Sequence, residues 1–191
     1  MDESFVVRVD DGLFCISDGE DITVESTRWS TGLLAPMDHG AWIRTGIHTG
    51  RVTVRTEMHS AAPPGDTGPW EEIVEASVHS PGGAMFVDPG YVAGELPYLA
   101  SGGPGWYRLR VHAHGRGLNP DGVSTDPTER YLIQAWPQDW SPQQVLQSSP
   151  RIEESLADNA DEPTGPPVHR PARTEPETAE RKRLLRHIRN R

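Results

Sequence analysis

Four side chains that are cationic, or can become so, alternate along the segment GWYRLRVHAHGRG, residues 105–117. Arg108, Arg110, His112 and His114 share one side at a period of two. The apolar side chains between them are Tyr107, Leu109, Val111 and Ala113. This alternation predicts a β-strand with one apolar and one polar face. Such a polar face could hold a metal ion, a catalytic group or a docking partner, or it could be an ordinary solvated surface.

The two histidines of this strand could share a metal ion, because residues at i and i+2 lie on the same face. A zinc site needs at least one further protein ligand, and no Cys pair, HExxH motif or compact acidic cluster supplies it nearby. Arg108 and Arg110 would also repel a cation on that face. We therefore predict no metal site and no cofactor.

A second segment offers acidic partners for these cations. WEEIVEASVH, residues 70–79, is predicted as a strand whose polar face carries Glu71 and Glu75. If this strand neighbours residues 106–114, either carboxylate could lie opposite Arg108 or Arg110. Cross-strand pairs of opposite charge stabilise a sheet by roughly 0.2–1 kcal/mol each. A structural ladder of charges is therefore favoured over a catalytic arrangement.

Catalytic motifs are weak in this chain. It contains no GxSxG turn, no P-loop and no GxGxxG motif, and its many acidic residues single out no pair for glycoside chemistry. Exposed tryptophans could form a carbohydrate platform, but in a small sandwich most of them fill the core or close its ends. The sequence therefore favours a protein that is not an enzyme. The tryptophans are Trp29, Trp42, Trp70, Trp106, Trp136 and Trp140.

Short strands separated by turn residues are the dominant pattern of the first part of the chain. We predict about seven to nine strands at roughly 8–15 residue spacing, without a helix among them, which is typical of an all-β sandwich or barrel. Residues 5–9 and 13–17 flank an Asp-Gly turn and are predicted to form a hairpin. The expected domain is an antiparallel β-sandwich over residues 4–138.

The composition changes after this domain. Residues 139–176 are rich in Pro, Ser, Gln and acidic residues, so we predict a disordered linker in which residues 141–147 and 151–157 could form brief helical turns. Residues 177–191 are predicted to form a short basic amphipathic helix. The helix has a charge of +4; since the net charge of the whole chain is −10, the preceding 176 residues have a charge of −14. This tail could contact nucleic acid, an anionic membrane surface, the chain's own acidic domain or a partner protein, or it could simply be solvated. Its predicted contact residues are Arg181, Arg183, Arg186 and Arg189.

The chain shows no sign of an oxidising compartment or a membrane. Cys15 is the single cysteine, so no disulfide can form within the chain. The N-terminus lacks the features of a signal peptide, and no apolar run approaches 18 residues. We expect a cytoplasmic protein without a membrane span.

Three motifs occur in the order W-E-E-I-V-E, G-W-Y-R-L-R-V and Y-L-I-Q-A-W-P. In this order the chain resembles the small β-sandwich proteins similar to the competence protein ComJ, a nuclease inhibitor, and related actinobacterial proteins. The resemblance covers roughly residues 4–138. It implies a protein that docks on a partner and blocks or presents it, and it transfers no catalytic residues.

The predicted function is therefore a non-enzymatic protein-binding module, such as an inhibitor or immunity-type protein. An acidic surface suits this role, because it can occupy a basic cleft and steer association. Two alternatives stay open: a small-ligand, carbohydrate-binding or hydrolase-like sandwich, and an adaptor that recruits nucleic acid or a larger assembly through its basic tail. The predicted contact residues are Arg108, Arg110, His112, His114, Glu71 and Glu75.

Overall fold

The computed structural model of the protein describes residues 4–18, 27, 29–65, 68–88 and 98–161. These described residues form eleven strands and one helix. Their bounds are β1 Ser4–Val9, β2 Leu13–Ser17, β3 Leu34–Met37, β4 Gly40–Arg44, β5 Thr49–Met58, β6 Glu72–Ser80, β7 Phe86–Asp88, β8 Gly105–His114, β9 Val123–Ser124, β10 Arg130–Pro137, β11 Gln144–Gln147 and α1 Pro150–Asp158.

The strands form two sheets in the described part of the chain. The larger sheet has the order β1-β5-β10-β8-β6-β11, with β9 paired to β5, and the smaller sheet has the order β3-β4-β2-β7. The all-β prediction is therefore confirmed. One hydrophobic core is shared by the two sheets: Val52 and Leu109 come from the larger sheet, and Phe14 and Ile43 come from the smaller one.

The larger sheet is mixed rather than purely antiparallel. β10 pairs with β5 in parallel, with Arg130 beside Thr53, and pairs with β8 antiparallel, with Arg130 beside His114. The prediction of an antiparallel architecture is wrong at this pair and at the short β5–β9 pair, which is also parallel. The sequence could not reveal this, because alternation along a strand does not specify its neighbours.

The predicted hairpin of β1 and β2 is also wrong. Asp11 and Gly12 have φ angles of 54° and 71°, so the predicted turn is present. A single bridge joins Asp10 and Leu13, and beyond it β1 pairs with β5 while β2 pairs with β4 and β7. The two strands thus enter different sheets and contribute side chains to the same core from both.

The folded structure extends past residue 138. β11 pairs antiparallel with β6, and α1 buries Ile152 completely in the core. Ser149 caps α1 by accepting a hydrogen bond from the amide of Ile152 at 3.3 Å. The predicted disordered linker over 139–176 is therefore wrong for β11 and α1, although α1 contains the helical turn predicted at 151–157; at 141–147 a strand forms in place of a turn. A few apolar side chains suffice here because the sheet and core already exist.

Three predictions lie outside the described residues. They are a strand that the segment DITVES predicts at 21–26, the remainder of the linker at 162–176, and the basic helix at 177–191 with its four arginines. In the part of the chain that the structure describes, no helix is long and apolar enough to cross a membrane.

Candidate functional site

The predicted polar face of β8 is buried rather than exposed. Arg108, Arg110 and His112 retain only 1%, 7% and 0% of their accessible surface. Of the four predicted contact residues on this strand, only His114 reaches the surface, with 29% of its side chain exposed. The expectation that this face is free for docking is therefore wrong in the folded state described here.

Strand direction explains why this face is covered. β5 and β6 run in the same direction on opposite sides of the β10–β8 pair, so residues 59–71 must travel back along the sheet and across it. This connection starts at His59, whose amide donates to Ala135 of β10, and ends at Glu71, whose amide donates to Ala113 of β8. Its described residues include Pro63, which lies over the polar face.

A second connection covers the same face. Residues 138–143 join β10 to β11 and pass the two intervening strands, β8 and β6. Ser141 lies at the centre of this passage, where its amide donates to the Ser77 hydroxyl at 2.9 Å. We call the face beneath the two connections the covered polar layer; its charged members are Glu75, Arg108 and Arg110.

Glu75 joins the two arginines of this layer. Its carboxylate oxygens accept from Arg108 Nε at 3.1 Å and from Arg110 Nε at 2.6 Å. Glu75 lies directly opposite Arg110 in the β6–β8 register, so the predicted ladder of charges is confirmed at this position. Burial lowers the pKa of Arg108, although the bond to Glu75 acts in the opposite direction.

The remaining arginine donors hold the two connections against the sheet. Arg108 Nη1 donates to the backbone oxygen of Ser141 at 3.0 Å. Arg110 Nη1 donates to the backbone oxygens of Pro63 and Pro64 at 3.2 and 3.3 Å. Since proline-rich segments offer acceptors and few amide donors, a planar guanidinium with several N–H groups is well suited to bind them.

The other predicted contact residues divide between interior and surface. His112 is fully buried, and its ring centroid lies 5.3 Å from that of Trp70, which is partly exposed. His114 Nδ1 lies 3.6 Å from a carboxylate oxygen of Glu71, whose side chain is 51% exposed. Glu71 therefore pairs with a histidine and not with either arginine. Within the described residues, no group of three His, Cys, Asp or Glu side chains could hold a metal ion.

A buried ion pair lies on the opposite, core-facing side of the larger sheet. Glu72 and Arg116 are 3% and 2% exposed, and Arg116 Nη1 donates to Glu72. Arg116 Nη2 also donates to the backbone oxygen of Gly32 at 2.8 Å, and the Ser149 hydroxyl donates to Glu72. The sequence carried one signal of this site, because Glu72 interrupts the apolar side of its strand.

A second buried carboxylate, Glu129, had no such signal. It is fully buried and accepts hydrogen bonds from the backbone amides of Gly46 at 3.0 Å and Ile47 at 2.6 Å, and from the hydroxyl of Tyr131. Burial, assisted by the charge of Glu129, raises the pKa of Tyr131 well above its usual value. Backbone donors about 80 residues away in the sequence leave no compositional pattern.

The two most exposed large apolar side chains of the described residues lie in the segment between β8 and β10, which includes β9. Leu118 and Val123 are 68% and 72% exposed, more than any other large hydrophobic residue in the described part. The loop over residues 115–126 is held firmly, because Asp121 donates its amide to the Gly46 oxygen and Gly122 accepts from the His48 amide, both at 2.8 Å. We call this segment the Leu118 loop.

The described surface is also acidic. Thirteen Asp and Glu side chains are not buried, against six unburied Arg, because three arginines lie in the interior. Those three are Arg108, Arg110 and Arg116. The Leu118 loop shares this character: its exposed charged side chains are those of Asp121 and Asp126.

Comparison with known proteins adds little to this geometry. No protein-family model matches the chain, and no curated protein matches it. One solved structure that resembles it is described as "Crocagin biosynthetic gene J", at 12% identity and a TM-score of 0.43. The match covers 71% of this chain and 96% of that one. At this level the likeness supports no functional conclusion, and the relation to ComJ-like proteins stays a prediction.

Proposed function

We propose that the two sheets form a β-sandwich that acts in the cytoplasm as a non-enzymatic protein-binding module. In this proposal the Leu118 loop docks on a partner protein that presents an apolar pocket rimmed by Arg and Lys side chains. A module of this kind serves as an inhibitor or immunity-type protein when it occupies a basic cleft of its partner.

The proposal rests on the exposure of Leu118 and Val123 in one segment whose backbone is held in place by hydrogen bonds. Interfaces combine an apolar centre with a polar rim, and a few central side chains supply most of the binding energy. Asp121 and Asp126 supply an acidic rim here. A loop already held by backbone hydrogen bonds loses little conformational entropy on binding, so more of the contact energy appears as affinity.

Charge supports the same kind of partner. An acidic surface attracts a basic one over about a Debye length and raises the association rate.

Most of the contact residues predicted from the sequence are not accessible to a partner, because Arg108, Arg110 and His112 are buried. Their role in this proposal is to hold the fold, and the contact surface moves to the Leu118 loop.

The other predicted functions are less well supported. An adaptor function would depend on residues 177–191, which lie outside the described part of the chain. A hydrolase-like function would need an accessible nucleophile or acid–base pair. The buried carboxylates of the described residues are instead occupied by structural hydrogen bonds; they are Asp18, Glu72, Glu75 and Glu129.

The experiment is capture of partners from native lysate by the full chain, followed by measurement of the captured protein's affinity. Leu118→Ser combined with Val123→Ser should weaken that affinity at least tenfold. The matched control is Val6→Ser combined with Leu146→Ser, two residues that are 52% and 51% exposed elsewhere. Equal binding by wild type and the loop variant, or failure to capture any protein, would contradict the proposal.

A truncation used in this experiment must respect the fold. A chain that ends at Gln138 would lose β11, α1 and the Ser141 oxygen that accepts from Arg108. A chain that ends at Asp161 retains every described element and removes the basic tail. If only the full chain captures a partner, the tail is responsible and the proposal for the Leu118 loop is wrong.

A further inference from the structure

A shallow pocket of about 200 Å³ lies between α1 and the segments that carry Gly32 and Arg44. One face of α1 lines it, because residues three, four and seven positions apart project to the same side of a helix. Arg151 and Asp158 stand at the two ends of this row, about 10 Å apart along the helix axis. The residues of the α1 wall are Arg151, Glu154, Ser155, Asp158 and, at the C-cap, Asn159.

The first end of the pocket is cationic. The Arg44 guanidinium lies 4.2 Å from the ring centroid of Trp29, and Arg151 Nη2 donates to the backbone oxygen of Arg116 at 3.3 Å. Neither Arg44 nor Arg151 forms an ion pair with any described residue. Both guanidiniums therefore keep donors that an anionic ligand could use.

The buried side chain behind this end does not neutralise it. Arg116 already shares its charge with Glu72, and its Nε atom is buried without a hydrogen-bond partner. Burial and the positive charges of Arg116 and Arg151 lower the pKa of Arg44. The cationic end thus carries an excess of positive charge within the fold.

The second end of the pocket is acidic, through Glu154 and Asp158. A helix favours negative charges near its N-terminus and positive charges near its C-terminus. Arg151 lies in the first turn of α1 and Asp158 in the last, so both oppose the helix dipole. Helix stability therefore does not account for their placement, and a ligand whose charges lie in the complementary order would be attracted to both ends of the pocket.

We propose that this pocket binds a small zwitterion of the basic amino acid class. The ligand's carboxylate lies against Arg44 and Arg151, its α-ammonium lies against Glu154, and its cationic side-chain end lies against Asp158. The side chain of arginine or lysine separates the two cations along the pocket, as Glu154 and Asp158 are separated by about one turn of helix. No residue of the Leu118 loop lines the pocket, although Arg116 lies behind it, and Leu118 and Val123 take no part in the site, so the zwitterion site and the proposed protein docking can fail separately.

The test is calorimetric titration of the full chain with L-arginine, with NMR observation of the arginine side-chain Nε–H signals. We expect binding that shifts the signals of Arg44 and Arg151. Agmatine lacks the carboxylate and citrulline lacks the side-chain positive charge, so each should bind at least tenfold more weakly. Failure of L-arginine to bind, or equal binding of agmatine, would overturn the assignment.

Substitutions of residues that line the pocket test whether L-arginine binds there. Arg44→Gln and Asp158→Asn should each weaken L-arginine binding at least tenfold, while the thermal unfolding temperature stays within the range of the controls. The controls are the same exchanges at exposed positions outside the pocket, Arg130→Gln and Asp139→Asn. Unchanged affinity in both pocket variants would show that the ligand binds elsewhere and would refute the proposal.

Discussion

Glu75 and Glu129 are both buried carboxylates of the larger sheet, 8% and 0% exposed, yet their surroundings satisfy them in different ways. Glu75 accepts from two guanidiniums, those of Arg108 and Arg110. Glu129 has no arginine among its hydrogen-bond partners and accepts from two backbone amides and one tyrosine hydroxyl. A buried charge can thus be stabilised either by an opposite charge or by fixed dipoles.

The difference lies in what each carboxylate holds in place. Glu75 sets the position of two long side chains, which in turn bind the 59–71 and 138–143 connections through Pro63 and Ser141. Glu129 fixes the backbone of Gly46 and Ile47 directly. The first arrangement fastens the outer layer of the sheet, and the second fastens a single turn at its end.

The largest effect should come from Glu75→Ala. This change leaves Arg108 and Arg110 buried without a carboxylate, which costs about 3–5 kcal/mol of the free energy of unfolding. Urea denaturation of the full chain measures it. The control is Arg55→Gln, which removes the ion pair with Glu57. The side chains of that pair are 31% and 26% exposed, so the loss of unfolding free energy should be less than about 1 kcal/mol. A similar loss in both variants would show that burial does not distinguish the pairs.

Glu129→Ala should have the next largest effect. Removing the carboxylate leaves two buried amides and a hydroxyl without their acceptor, and we expect a loss of about 2–4 kcal/mol. Hydrogen exchange locates the damage: protection at β8 should fall only by the loss of global stability, whereas the amides of Gly46 and Ile47 should lose more than that by local opening. Protection that falls equally at the turn and at β8 would instead mean that Glu129 holds the whole sheet and not one turn.

The hydroxyl of Tyr131, which donates to Glu129, should make the stability of the chain depend on pH in the alkaline range. Its pKa in the folded chain is raised, so the folded state keeps a proton that the unfolded chain releases near pH 10. The associated stability is complete below about pH 10 and is lost as the pH rises toward the folded pKa, at about 1.4 kcal/mol per pH unit. Tyr131→Phe should lack this slope and should cost about 1 kcal/mol at neutral pH.

Urea denaturation at a series of pH values between about 8 and 11 measures the slope. Tyr98→Phe is the control, since Tyr98 is 59% exposed. If the stability of Tyr131→Phe falls above pH 10 as steeply as that of the wild type, another group causes the loss.

The smallest effect should come from Glu71→Gln. Glu71 lies on the same polar side as Glu75, but it is half-exposed and faces His114. Exposed pairs contribute about 0–1 kcal/mol, and glutamine still offers an oxygen to the Gly115 amide. Thermal unfolding should therefore change little. A loss comparable with that of Glu75→Ala would show that position on the strand matters more than burial.

The sequence was sufficient to predict the strands and ion pairs that depend on hydrophobic periodicity and on opposite charges. Alternation identified β8 and its two faces, and the acidic strand β6 was expected to place Glu75 opposite an arginine, as it does. The sequence could not predict that the polar face is covered. That outcome follows from the parallel pairing of β5 and β10, which forces a connection across the sheet, and no local pattern encodes strand order.

The burial of Arg116 and of α1 at the end of the sheet could not be predicted from the sequence either. Arg116 follows a glycine and resembles an ordinary loop cation, yet it pairs with Glu72 beneath α1. α1 itself lies in a polar segment that cannot form a core of its own, and it folds because Ile152 enters a core formed by other elements. Composition predicts whether a segment is stable alone, which is a different question from whether it has a place to dock.

The parallel pairing of β10 also determines the order of assembly during synthesis. β1 can pair with β5, and β6 with β8, as soon as these strands leave the ribosome. β10 is made after all four and must be inserted between β5 and β8. Until then the nascent chain presents two unpaired sheet edges, which are templates for association with other chains. The chain is therefore most vulnerable to aggregation just before Arg130–Pro137 is complete, and slow translation or a chaperone acting at that stage would most affect its yield.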